Sequence, residues 1–172
     1  MSGGSMAEPR PLEVYLNDHL AGATGACEVA RNATEKYATT PHRNFLQQFL
    51  LEVEEDRATL EELIRTVGGT PNPLKQAGAW IMEKVSRLKL SPGGTGSEEM
   101  SVLLTLETLC IGVDGKICLW TALGEMAGEI AALGAIDFDQ LLARARGQRA
   151  GLEKERLAAA RAALRDPVGA SR

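Results

Sequence analysis

Histidine and aromatic residues are scarce in this chain, and each shortage narrows what it can be. Only two histidines occur, His19 and His42, and neither has an evident partner for a Ser/His/Asp or Cys/His catalytic set. Aromatics make up 4% of the residues while alanine and leucine dominate. Strands draw on β-branched and aromatic side chains, so this balance favours close-packed helices over a sheet. The three cysteines, Cys27, Cys110 and Cys118, form no CxxC pair, and at least one thiol is unpaired in the monomer. No disulfide framework is expected. Each cysteine lies in an apolar helical pattern, where a free thiol packs as a small buried hydrophobe. No secretory signal is evident, and no apolar run reaches the ~18 residues of a membrane span without polar interruption. The net charge of −4 leaves no general basic field for nucleic acid or an anionic membrane. The expectation is a cytoplasmic protein that binds neither.

What is present is helical periodicity. With 172 residues, 44% of them hydrophobic and 24% charged, the chain has the size and balance of a single globular domain. Residues 101–127 form the most apolar stretch and carry isolated carboxylates at Glu107 and Asp114. Seven positions is two helical turns, so both project from nearly one line. A helix this apolar must be surrounded by others, and a carboxylate on its inner side needs a partner there.

The remaining helices follow from the same patterning. The first spans about 12–38, with Leu16, Leu20, Ala23, Cys27, Ala30, Thr34 and Tyr37 in a narrow seam. Gly22 and Gly25 weaken that helix by up to ~1 kcal/mol each, which close packing would offset. Pro41 breaks it. The second helix, 43–67, has a core face of Leu46, Phe49, Leu50, Val53, Leu60, Leu63, Ile64 and Val67, with Asp56 on that face among Glu52, Glu54 and Glu55. Gly68 and Gly69 close it. A shorter helix over 74–88 carries Trp80, Ile81, Val85 and Leu88, and 91–97 is a glycine-rich loop. Ser97 caps the apolar helix, and Asp137 starts a last helix over 138–164. On that last helix the apolar face is Leu141, Leu142, Ala145, Leu152, Leu157, Ala160 and Leu164, with arginines elsewhere. Residues 1–11, beginning MSGGS, read as a leader, 12–165 as the domain and 166–172 as a frayed tail.

Several local features take ordinary readings. The acidic run from Glu52 to Glu62 is a solvated face complemented by Arg57 and Arg65. His19 belongs at a bundle end or on the surface, and His42, beside the proline break, is exposed. Trp80 and Trp120 are core or interface residues, a ligand pocket beside them being the alternative. Gly112-Val-Asp-Gly-Lys lies mid-helix with no preceding strand, so it is not a phosphate loop.

Four long helices plus a short crossover helix give an all-α four-helix bundle. The order of motifs resembles the ferritin-like superfamily. LNDHLAGA at 16–23, the second helix with GGTPNP, and LETL at 106–109 fit that layout. KQAGAWIMEKVSRLKL at 75–90, GVDGKICLWTAL at 112–123 and the QRAGLEKERLAAARAAL ending resemble a group of bacterial ferritin-like proteins of unassigned function. The resemblance implies an up-and-down ferritin-like bundle with an additional short helix in the middle connection. It also implies a demand for two metal ions, met by a Glu from each of two helices and a Glu-x-x-His pair from each of the others. This chain departs from that set: Ala23 or Thr24 at the first Glu, Val53 and Asp56 on the second helix, and Arg144, Gln148 and Gly151 on the last. Glu107 alone matches. The expectation is therefore a degenerate bundle without a di-metal centre or other cofactor, not an enzyme, acting as a structural or interaction module and homodimeric. Asp56, Glu107 and Asp114 are the weak metal candidates. The favoured reading pairs the carboxylates with arginines of the last helix such as Arg144 or Arg146. The alternative is a divergent iron or manganese oxidoreductase, or an iron-handling protein, that uses those carboxylates.

Overall fold

The computed structural model describes residues 10–73 and 97–165. Four long helices, α1 (Pro11–Lys36), α2 (Arg43–Thr66), α3 (Glu98–Met126) and α4 (Phe138–Ala163), make up nearly all of it, with one 3-10 turn at Ala131–Leu133. The expected middle helix over 74–88, with Trp80, lies outside the described residues, as do residues 91–96 of the loop, most of the leader and the tail.

The helix ends follow local chemistry. Pro11 occupies the first turn of α1, where a missing N–H costs nothing. Gly68 adopts φ +75°, and Gly69 N–H donates to Ile64 O at 2.9 Å, so α2 ends in a Schellman turn that favours glycine. Ser97 caps α3 by accepting from Met100 N–H at 3.3 Å, and Asp137 caps α4 by accepting from Gln140 N–H at 2.9 Å. Asn17, buried in α1, ties down the chain after α2: its amide donates to Thr70 O and its oxygen accepts from Asn72 N–H.

Interhelical contacts give the topology. Cys27 donates to Val53 O and, seven residues on, Thr34 donates to Leu46 O, so α1 and α2 run antiparallel. Tyr37 reaches Ser101 and Thr105, while the Gly112 backbone lies against Ala26 (3.5 Å from its Cβ to a Cβ built on the glycine), so α1 and α3 are also antiparallel. Asp114 pairs with Arg149 and Glu107 with Arg156, and α4 returns along α3. His42 meets Glu155 and Asp56 meets Arg144, which sets α4 antiparallel to α2. Each helix therefore opposes its neighbours in space, but along the chain the order is up, down, down, up in place of the expected up-and-down alternation, because α3 starts at the end where α1 finishes. Helices α2 and α3 are parallel, so Val67 and Ser97 lie at opposite ends of the bundle.

The apolar core falls into two clusters. One holds Tyr37, Leu46, Phe49, Leu106, Leu109 and Leu152; the other holds Leu20, Leu60, Ile64, Trp120, Leu133 and Phe138. Asp56, Lys116 and Gln148 occupy the sequence positions between the two on their helices. Two expected core residues of α4 are instead exposed, Leu157 at 40% and Leu164 at 65%. Leu157 lies five residues past buried Leu152, about 140° around the helix, and the inward position there belongs to Ala159. Leu164 follows the last helical residue.

Candidate functional site

Between the two apolar clusters sits a polar layer. Asp56 lies on α2 three residues after Val53 and four before Leu60, so helical spacing forces it inward, and it is 5% exposed. Lys116 on α3 stands three residues after Val113 and four before Trp120, on the same buried stripe. Gln148 on α4 falls between buried Ala145 and Leu152. These three side chains meet. The Lys116 ammonium donates to Asp56 Oδ2 and to Gln148 Oε1, and Gln148 Nε2 donates to Asp56 Oδ2 at 3.0 Å. Arg144 reaches in from the rim to Asp56 Oδ1 and extends to Glu55 at the surface, 3.3 Å away. Both oxygens of Asp56 are thus held by cations. Removal from water pushes the Lys116 ammonium below its ordinary pKa, against the pull of Asp56 in the opposite direction.

The structure does not bring the three candidate metal carboxylates together. Asp56 is in the centre. Glu107 and Asp114 share one line on α3, as their spacing requires, but that line faces the groove toward α4 and not the bundle axis; their side chains are 44% and 55% exposed. Their partners are not Arg144 or Arg146 but Arg156, 3.6 Å from Glu107, and Arg149, 3.0 Å from Asp114. Those arginines are also seven residues apart, so one antiparallel register makes both pairs. Glu153 lies between the arginines and accepts from both, and these bonds hold its carboxyl down at about 2. Among the described residues no three His, Cys, Asp or Glu side chains group as a metal site requires. Each candidate carboxylate already has a guanidinium or ammonium on it, and Ala23 and Thr24 offer no ligand, so the residues present do not fit the six-ligand set.

A cavity of about 340 Å³ opens between α1 and α3 and reaches the polar layer. Its wall is mainly apolar, with Ala26, Val53 and Leu109 on three helices, and Lys116 and Asp56 in its floor. Gly22 and Gly115 at its edge bear no side chain; nothing lies within 4 Å of a Cβ built on Gly115. His19, expected at a bundle end or surface, is a half-buried wall residue set edge-on to Tyr15 with ring centroids 4.7 Å apart. Burial pushes its imidazole below the usual pKa, with Asp18 opposing. Trp120 is a core residue, 1% exposed, packed near Phe138 and forming part of the cavity wall. Its indole N–H has no partner among the described residues.

Other expectations change as well. His42 is not exposed: its side chain is 12% accessible and Nδ1 lies 2.6 Å from Glu155 Oε2. Glu155 on α4 reaches His42 beside the break, while Pro41 itself stays exposed. Cys27 and Cys110 are buried, but Cys118 is exposed because it lies on the outer face of α3 with Leu104 and Ile111. Burial raises the Cys27 thiol to about 11. Lys116 and Gln148 carried a sequence signal that patterning alone undervalued: each interrupts an apolar stripe at a core register. The Glu155 partner of His42 carried none. Searches against family models, curated proteins and solved structures return no match for this chain.

Proposed function

We propose that this chain is a ferritin-like bundle whose central charges are cations of the protein itself, and that it works as a cytoplasmic, non-enzymatic structural or interaction module. The observation that carries the reading is the state of Asp56, whose two oxygens are engaged by Lys116, Arg144 and Gln148. A divalent ion would have to displace two cations to reach that carboxylate. The parallel course of α2 and α3, which demands one long crossover, supports the ferritin-like part of the reading. Elemental analysis of protein purified without chelator, followed by calorimetric titration with ferrous iron and manganese, tests it. No stoichiometric metal is expected. Stoichiometric iron or manganese that is lost in Asp56→Asn or Glu107→Ala would overturn the reading in favour of the carboxylate-metal oxidoreductase.

The module is further proposed to be a homodimer. Leu104 and Ile111 on α3 are 45% and 43% exposed, and Cys118 continues the same seven-residue spacing. Three such residues at seven-residue steps give α3 an outward apolar line, which supports the pairing of two chains along it. Light scattering should give twice the monomer mass, and Leu104→Glu with Ile111→Glu should return it to the monomer; a wild-type monomer at micromolar concentration would refute this part.

A further inference from the structure

The charged groups at the floor of the cavity between α1 and α3 are already matched, and that selects an uncharged ligand. We propose that the cavity binds a neutral, mainly apolar molecule with one hydrogen-bond acceptor, of the medium-chain ketone class, with its oxygen on Lys116 and its chain lying toward Leu109. Three observations carry this. The first is the space itself, about 340 Å³, which lies in the range of small-molecule sites. The second is the wall, to which Ala26, Val29, Phe49, Val53 and Leu109 contribute hydrocarbon from three helices. From Lys116 to Leu109 is seven residues, or about 10 Å along the helix, which matches a chain of about eight carbons.

The third observation is the balance of charge and hydrogen bonds. Three charged side chains line the cavity, Asp18, Asp56 and Lys116. Asp56 and Lys116 form an ion pair and Gln148 bonds to both, so the floor carries no net charge. Asp18 is an exposed residue whose carboxylate meets water at the mouth, and burial keeps the neighbouring His19 toward its neutral form. A carboxylate or an ammonium carried down to the floor would leave its own hydration and find no unmatched counter-charge there. A neutral carbonyl has far less hydration to lose. It also meets a donor, because an ammonium has three N–H groups and Lys116 gives two of them, to Asp56 and Gln148. The competing case is an amine whose head stays at the mouth beside Asp18. This inference goes beyond the non-enzymatic reading of the bundle and fails separately from it, since a metal-free protein can still have an unused cavity.

Calorimetric titration of the full chain with octan-2-one, octanoate and octylammonium tests the assignment. Octan-2-one is expected to bind saturably at one site, and both ions at least about tenfold more weakly. Lys116→Met removes the hydrogen bond to the ketone oxygen but keeps an apolar floor, and should weaken octan-2-one roughly three- to tenfold. Ala23→Leu, which places four heavy atoms where one stands in the wall, changes no charge and should also weaken it. The proposal is overturned by no saturable octan-2-one binding, or by either ion binding as tightly as the ketone. It is equally overturned by octan-2-one binding unchanged in Lys116→Met or in Ala23→Leu. Should Lys116→Met fail to fold, the three wild-type titrations decide between ketone, acid and amine on their own.

Discussion

Asp56 is the residue whose removal should be felt most, and the reason is an asymmetry of the polar layer. Asp56 serves three donors, from Lys116, Gln148 and Arg144, whereas each donor has a further partner or solvent. Asp56→Ala leaves the Lys116 ammonium, 14% exposed, without a counter-charge between two apolar clusters. Removing one partner of a buried pair typically costs about 3–5 kcal/mol, because the other charge stays buried. Arg144 is 31% exposed and can turn to Glu55 and water, so its share is small. The lower half of that range, about 3 kcal/mol, is the expectation, equivalent to a fall in Tm on the order of 10 °C for a domain of this size. Lys116→Met should behave differently. Asp56 keeps Arg144 and Gln148, and the desolvation that depresses the Lys116 pKa disappears with the ammonium, so a loss below about 1 kcal/mol is expected. Urea unfolding followed by circular dichroism, with m values compared, measures both. Equal losses for the two variants, or a loss below about 1 kcal/mol for Asp56→Ala, would refute the account of Asp56 as the hub.

Two glycines of α4 should respond to alanine with opposite sign. Gly147 has nothing within 4 Å of its added Cβ and should gain up to about 1 kcal/mol from helix propensity, whereas at Gly151 the Cβ would stand 2.8 Å from the Phe45 ring, which stacks on Phe49, and stability should fall in a urea titration. His19 has a folded-state pKa below its ordinary 6.5, so the unfolded chain binds the extra proton first. Its contribution is intact above pH 6.5 and is lost as the pH falls from there toward the folded value; the fall in Tm between pH 7.5 and 5.5 should be shallower in His19→Gln than in wild type. A thiol titration of native protein should modify Cys118 rapidly and Cys27 only on unfolding, since Cys27 is buried and its thiol sits at about 11; mass-mapped labelling of Cys27 at the rate of Cys118 would contradict the packing.

What could be read in advance, and what could not, divides along a physical line. A helix's buried face is a property of one segment, fixed by the 3.6-residue repeat, and so the Leu46–Phe49–Val53–Leu60 face of α2 and the caps at Ser97 and Asp137 were legible from spacing alone. Partnership is a property of two segments and depends on their relative register. Glu107 and Asp114 could be placed on one line, but whether that line faced the axis or the α4 groove depended on where α4 docks. The same dependence gave Arg144 to Asp56 on α2, and gave Arg156 and Arg149 to Glu107 and Asp114 on α3. It also hid His42, which is covered only because α4 brings Glu155 over the end of α2.

Lys116 shows the limit from the other side. A lysine between Val113 and Trp120 is an expensive choice for a buried stripe, and burial of its charge is tolerable only with an acceptor opposite. Asp56 interrupts the core face of α2 by the same logic. Two such interruptions of opposite sign imply each other, because either alone would leave a buried charge unmatched. Gln148 completes the inference as a neutral side chain able both to accept from an ammonium and to donate to a carboxylate. Read as exceptions to three separate apolar patterns, these residues look like defects. Taken as one set, they fix the level at which α2, α3 and α4 must align, since a slide of one turn on any helix would strand all three.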